Sequence, residues 1–318
     1  MQLVTLAARP GAGVILGAEI VDLVRCRDAV IAARLVPDTV RGILEAGDGA
    51  LDLVRRVVDD IASKKSLADQ LCEAGALVPR AGARLLAPLT DPSLILSCGM
   101  NYREHLREMN TPVPEYPTSF TKNNAGIVGP DAPIVLPPSN PDMVDWEGEF
   151  SVVIGRSCHR VGEAEALDYV AGYTLINDVS ARDWVAPIFQ SKALMDGILA
   201  WERNLLGKQF PTFCPMGPVL ATRDEIRDPD DVQIETRLNG AVMQSAHTSD
   251  LVFGVRKLIA YYSQFYRFRP GDVITTGSPS GVGYGRNPKV FMHAGDRIEV
   301  SATGIGVLAN PVVAASAG

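Results

Sequence analysis

The sequence predicts an α+β protein, mainly β, and three observations carry that expectation. Beyond Pro92 the chain breaks into short β-rich runs, LILSCGMNY, EFSVVIG, GYTLINDVS, GPVLAT, VQIETRLNG, DVITTGS and DRIEVSA, punctuated by Gly and Pro. Turns, and not regularly alternating helices, separate these runs, which disfavours a doubly wound parallel sheet and favours a β roll or sandwich. Charge shifts in the same region: basic and acidic residues balance at 11 each up to Thr90, so the whole acidic excess lies beyond it. The expected organisation is a small N-terminal α+β domain over residues 1–92 and a larger domain over 93–318.

The elements follow in order. Leu3 to Ala8 and Val14 to Val21, on either side of Pro10-Gly11, read as two short strands joined by a turn. Leu51, Val54, Val58 and Ile61 recur at helical spacing with Arg55, Arg56, Asp59 and Asp60 opposite, and Ser66 with Asp69 reads as a capping box for a helix closed by Gly75. No convergent polar cluster occurs in these segments, so residues 1–92 read as a packing unit. In the larger part, one helix is expected from Glu163 to Val170 and another from Leu251 to Tyr262, before the Arg269-Pro270-Gly271-Asp272 turn. Gly281-Val282-Gly283-Tyr284-Gly285 is not a dinucleotide loop, because Pro288 interrupts the place where the helix should start.

Composition narrows the function. The 318 residues carry 30 Lys plus Arg against 37 Asp plus Glu, a net charge of −7, which argues against nucleic acid as a partner. An apolar fraction of 47% with 21% charged residues is that of a globular chain. The first residues lack a basic start and their apolar run is broken by Arg9, so neither a secretory signal nor a membrane span is expected, and the expected location is the cytoplasm. Cys26, Cys72, Cys98, Cys158 and Cys214 show no zinc-like spacing and read as buried, reduced thiols.

Three segments hold candidate chemistry. In Asp145-Trp146-Glu147-Gly148-Glu149-Phe150, a strand places Glu147 and Glu149 on one face, about 7 Å apart, with Trp146, Phe150, Val152 and Ile154 toward an apolar layer. Such a pair fits either a wet outer face or a shared cation, and spacing alone leaves both open. Asp178 ends the run GYTLIND; a third oxygen ligand there suits Mg²⁺ or Mn²⁺ and not a thiol-seeking metal, while a turn cap is the plainer reading. Arg182, just beyond, fits a structural ion pair. His105 and Glu108 stand three residues apart in a Gly-rich turn after a strand, the spacing by which a carboxylate orients an imidazole base, although a solvated helix start has the same pattern. No GxSxG elbow is present.

Taken in order, GMNYREHLREM, PTSFTKNN, DWEGEFSVVIG, GYTLINDVSARD, GKQFPTFCPMGPVL, LNGAVMQ, RPGDVITTGSPSGVG and AGDRIEVSATGIGVLAN resemble the fumarylacetoacetate hydrolase superfamily from about Leu94 to Asn310. The resemblance implies a mixed β-sandwich roll, usually in a homodimer, with Mg²⁺ or Mn²⁺ on Glu147, Glu149 and Asp178. It implies catalytic roles for His105, Glu108 and Lys208, and substrate-binding positions at Tyr102, Lys122, Arg182, Gln244, Thr276 and Ser278. The implied activity is metal-dependent hydrolysis of a carbon–carbon bond in a small acylpyruvate or 2,4-diketo acid. The alternatives on the same scaffold are a 2-oxo acid decarboxylase and an isomerase. The chain departs from the pattern at Trp184-Val185, in a long stretch from Ala186 to Leu206, at Pro211 and at Ser278, all where substrate tails are selected.

Overall fold

The computed structural model describes residues 1–315. Its N-terminal part runs β1 (Gln2–Leu6), β2 (Gly11–Leu16), β3 (Glu19–Asp22), α1 (Val40–Glu45), α2 (Asp48–Ser63), α3 (Lys65–Glu73), β4 (Leu77–Pro79) and β5 (Leu85–Leu86). Then come β6 (Ile95–Gly99), α4 (Arg103–Glu108), β7 (Thr118–Lys122), β8 (Ile127–Val128), β9 (Ile134–Leu136), β10 (Val144–Asp145), β11 (Gly148–Ile154), β12 (Val170–Asn177) and β13 (Ser180–Ala181). The chain closes with α5 (Val185–Gln190), α6 (Leu194–Leu206), β14 (Cys214–Thr222), β15 (Gln233–Leu238), β16 (Ala241–His247), α7 (Val255–Tyr262), β17 (Val273–Thr275), β18 (Arg297–Ala302) and β19 (Gly306–Ala314).

A large sheet in the order β4-β3-β2-β1-β14-β12-β11-β17-β6-β7 faces a smaller one ordered β16-β15-β18-β19-β9. Most pairings are antiparallel, as turn-linked strands allow. Gln2 pairs with Ala221 and Leu3 with Leu220, so the compositional boundary near residue 92 falls inside one continuous hydrogen-bonded sheet.

Strands β11 and β12 are buried along their whole length because both faces of the large sheet are covered. Phe150, Val152, Ile154, Tyr173 and Leu175 join one core with Ile234, Val300 and Leu308 of the small sheet. Val153, Ile176, Met216 and Leu220 join a second core with Val54, Val57 and Ile61 of α2. Each fully buried aliphatic side chain contributes about 1.5–3 kcal/mol, so both layers hold the central strands in register. The sheets meet closely at Gly148, where a Cβ would lie 2.2 Å from Thr236 Oγ1.

Local differences from the sequence reading have physical causes. Val14 to Val21 is not one strand: the chain reverses at Gly17, φ +61°, between β2 and β3. Helix α3 begins at Lys65 with Lys64 as its cap, so Ser66 is already inside it and no capping box forms; Gly75, φ +65°, does follow its end. The helix expected from Glu163 to Val170 is only a 3-10 turn over Ala166–Tyr169, because Val170 is drawn into β12 opposite Ile154. Helix α7 starts at Val255, four residues later than expected, after the Thr248–Asp250 turn. Four cysteines are buried as expected, whereas Cys72 is exposed on α3. Among the described residues no helix is long and apolar enough to cross a membrane.

Candidate active site

Pairing between β11 and β12 builds the site. Gly148 lies opposite Asn177 and Glu149 opposite Ile176, so the start of one strand meets the end of the other. The Asp178 N–H donates to the Glu147 carbonyl at 2.8 Å, and the Glu147 N–H donates to Asn177 Oδ1 at 3.0 Å. Glu147, Glu149 and Asp178 thereby offer carboxylate oxygens all within 4.8 Å of one another. Glu149 and Asp178 are buried and the Glu147 side chain is 12% exposed, which removes the wet-face reading of the Glu pair.

Fixed cations offset this density of negative charge. Lys208 Nζ donates to Asp178 Oδ2 at 2.6 Å, to Glu147 Oε2 at 2.9 Å and to Ser180 Oγ at 2.8 Å. Lys122, at the end of β7, pairs with Asp178 Oδ1 and donates to the Lys208 carbonyl at 2.8 Å. Arg182 donates through Nε to Asp145 Oδ2 at 2.9 Å and also pairs with Glu147 Oε1. Asp145 in turn accepts from the N–H groups of Trp146, Gly283 and Tyr284, tying the GVGYG loop to the site. Four carboxylates thus meet three cations.

The carboxyls respond differently to this setting. Burial opposes the charged form of Glu147, but Lys208 and Arg182 overcome it and hold its carboxyl below the ordinary range. Glu149 has no cation of its own: burial first, then repulsion from Asp178 and Glu147, push its carboxyl well above that range. Its Oε2 is buried without a hydrogen-bond partner, and so is Asn177 Nδ2 beside it. Three convergent carboxylates, one with an orphaned oxygen, form a hard oxygen donor set that fits Mg²⁺ or Mn²⁺.

On the other wall, His105 Nδ1 lies 3.0 Å from Glu108 Oε2, so the i, i+3 spacing does bring the two together on α4. Glu108 is itself fixed by the Gly281 N–H at 3.0 Å. A proton on Nδ1 directed at the carboxylate leaves the Nε2 lone pair free. His105, Glu147, Glu149, Arg182, Lys208 and Ser278 line one cavity of about 190 Å³.

The remaining expected substrate-binding positions, Tyr102, Lys122, Gln244 and Thr276, do not line that cavity, because their polar atoms are buried in the scaffold behind it. Gln244 accepts from the Gly148 N–H and donates to Ser278 Oγ and the Pro279 carbonyl, which commits its amide to the scaffold. Thr276 Oγ1 donates to the Phe150 carbonyl. Tyr102 is fully buried with its hydroxyl unpartnered, and Lys122 braces Asp178 from behind. Sequence reasoning passed over Asp145 and Ser180, which hold Arg182 and Lys208 in place; the run of three acids around Trp146 was the available signal for the first.

The chain is similar to several known proteins. Residues 94–313 match the family model described as fumarylacetoacetate hydrolase C-terminal. The mitochondrial oxaloacetate tautomerase of Homo sapiens is 42% identical over 278 residues, covering 87% of this chain and 81% of that protein. The structure of fumarylacetoacetate hydrolase from Exiguobacterium antarcticum superposes with a TM-score of 0.76 at 31% identity, covering 99% of this chain and 100% of the other. Maleylpyruvate hydrolase from Sphingobium, solved with manganese(II) and pyruvate, superposes with a TM-score of 0.71 at 26% identity over 99% of this chain and 100% of its own.

Proposed function

The chain belongs to the fumarylacetoacetate hydrolase family, and on that premise we propose that it hydrolyses a carbon–carbon bond in an acylpyruvate or related 2,4-diketo acid. The single observation that carries this reading is the His105–Glu108 pair, which positions a base on the wall of the cavity that Glu147 and Glu149 also line. Glu147, Glu149 and Asp178 would hold one Mg²⁺ or Mn²⁺. Such a cation supplies a Lewis acid for a 2-oxo acid group.

The side chains supply the rest. His105 Nε2 takes a proton from water, whose oxygen adds to the acyl carbonyl. The bond between that carbonyl and the methylene breaks, its electron pair leaves as the enolate of pyruvate, and the His105 imidazolium returns the proton to the methylene carbon. Glu108 keeps the imidazole oriented and stabilises its charged form. Lys208 contributes fixed positive charge beside the carboxylates as negative charge develops on the substrate. On the same footing we propose a homodimer, which sedimentation at micromolar concentration tests.

A second reading, keto–enol isomerisation of a 2-oxo acid, is favoured by the 42% identity to oxaloacetate tautomerase. It needs the proton transfer but no attacking water. Mass-resolved products from acylpyruvates, 2,4-diketo sugar acids and oxaloacetate, each with Mg²⁺ and with Mn²⁺, separate the outcomes. Two fragments that together equal substrate plus water support hydrolysis. Unchanged mass in H₂O, deuterium uptake at the methylene in D₂O, and no cleavage of any substrate overturn it in favour of isomerisation. Release of CO₂ alone overturns it in favour of decarboxylation.

A further inference from the structure

The cavity lining combines a carboxylate end, where Glu147 and Glu149 meet Arg182 and Lys208, with the His105 imidazole and a set of apolar side chains. Arg182 is committed to Asp145 and Glu147, Lys208 to Glu147 and Asp178, and His105 to Glu108. Leu106, Met109, Ile188, Phe189 and Trp201, the last three on the α5–α6 hairpin, line the cavity as well, and Phe120 lies beside Lys208 Nζ, 5.1 Å from its ring centroid. Among the described residues, Arg182 and Lys208 are the only Lys or Arg side chains that line the cavity.

Phe189 is 68% exposed and Trp201 50%, although both border the cavity, so this hairpin presents aromatic surface at the mouth of the site. A charged group placed there loses part of its hydration and gains no cation partner, whereas an alkyl or aryl group covers apolar area that is otherwise wet. From this we propose that Ile188, Phe189 and Trp201 form a subsite for the apolar far end of the substrate. The chain then selects 2-oxo acids with an uncharged alkyl or aryl tail over those with a second carboxylate. This inference rests on the reading of the carboxylate end as the site of the 2-oxo acid group.

The test uses the full chain with Mn²⁺ and two readouts. Calorimetry compares straight-chain 2-oxo acids of three to eight carbons with the matching dicarboxylates, and kinetics compares 2,4-diketo acids with methyl, propyl, pentyl and phenyl tails. Affinity and kcat/KM are expected to rise about threefold to fourfold per added methylene until the subsite fills. A terminal carboxylate lowers both at least tenfold against the methyl-ended compound of equal length. Trp201→Ala flattens the length dependence, and Ile188→Lys recovers part of the loss for the dicarboxylates. A flat length dependence, or tighter binding of the dicarboxylate, overturns the subsite and leaves the hydrolase reading standing. Length-dependent binding with no cleavage of any diketo acid overturns the hydrolase reading and leaves the subsite standing. If Trp201→Ala changes sedimentation but not the length dependence, the hairpin covers a second copy of the chain and the subsite falls.

Discussion

The Lys208 ammonium lies 2.6 Å from Asp178 Oδ2, within the same group of carboxylates that a divalent cation would use. The side chain therefore does in the metal-free protein part of what the metal does when bound: it offsets Glu147 and Asp178. Lys208→Met leaves Asp178 paired with Lys122 and Glu147 paired with Arg182, so the fold is retained. We expect the metal-free variant to lose about 3 kcal/mol, the cost of breaking a buried pair. Mn²⁺ binding should become several-fold tighter, because a competing cation is gone. Calorimetry showing unchanged or weaker Mn²⁺ affinity would contradict the competition.

Glu149 gives the opposite trade. Burial, Asp178 and Glu147 all disfavour its charge, and one oxygen has no partner, so the group costs stability that only a ligand recovers. Glu149→Gln removes the charge at constant shape. Its melting temperature in EDTA is expected to rise by a few degrees, on the order of 1 kcal/mol of stability, while Mn²⁺ affinity is lost. A lower melting temperature in EDTA would show that the carboxylate is satisfied after all.

Arg182 bridges Asp145 through Nε and Glu147 through a terminal nitrogen, a fork that a single ammonium cannot reproduce. Arg182→Lys should therefore destabilise by roughly 1–3 kcal/mol through a half-broken buried network. Asp145→Asn should give a similar loss, and the double variant less than the sum of the two. Additive losses in urea denaturation would mean that the two residues act separately.

Much of this site is legible in the chain. The alternation around Gly148 and the strand-ending Asp178 announce three carboxylates, and the i, i+3 spacing announces the His105–Glu108 contact. What spacing could not decide was whether the Glu face is wet. That depends on β17 flanking β11, on the small sheet over one face and on α2 in the core at the other, all distant in sequence. Roles for Lys208 and Lys122 came from family resemblance, since nothing local marks either lysine as a partner of Asp178. The failed helix at Glu163 to Val170 shows tertiary pairing overriding local pattern, and Ser66 shows a cap signal bypassed by an earlier helix start.

The thiols offer a check on the packing itself. Cys26, Cys98, Cys158 and Cys214 are buried, and burial pushes the first two and the last up to about 12 and Cys158 up to about 11. Only Cys72 is exposed. A thiol reagent at pH 8 should therefore titrate one cysteine in the native protein and five in denaturant. Two or more fast-reacting thiols in the native state would mean that a core described as closed is open.

The proposed base, His105, is where the two readings of the reaction can be told apart. In hydrolysis the imidazole must first take a proton from water, and without it the acyl carbonyl meets only a neutral nucleophile. His105→Ala should then lower kcat for cleavage by 10²–10⁴, the usual contribution of general base catalysis. It should leave Mn²⁺ and oxalate binding intact, since those would use Glu147, Glu149 and Asp178. Glu108→Gln keeps the imidazole near its place through the Gly281 loop but weakens its charged form, so a smaller loss is expected, with kcat falling more than KM rises. Isomerisation makes a different demand, because a proton moving between carbon and oxygen of the same substrate can also pass through solvent. If His105→Ala retains most of the wild-type turnover of oxaloacetate, and neither protein cleaves an acylpyruvate, the base has no water to activate and the hydrolase reading gives way to the tautomerase one.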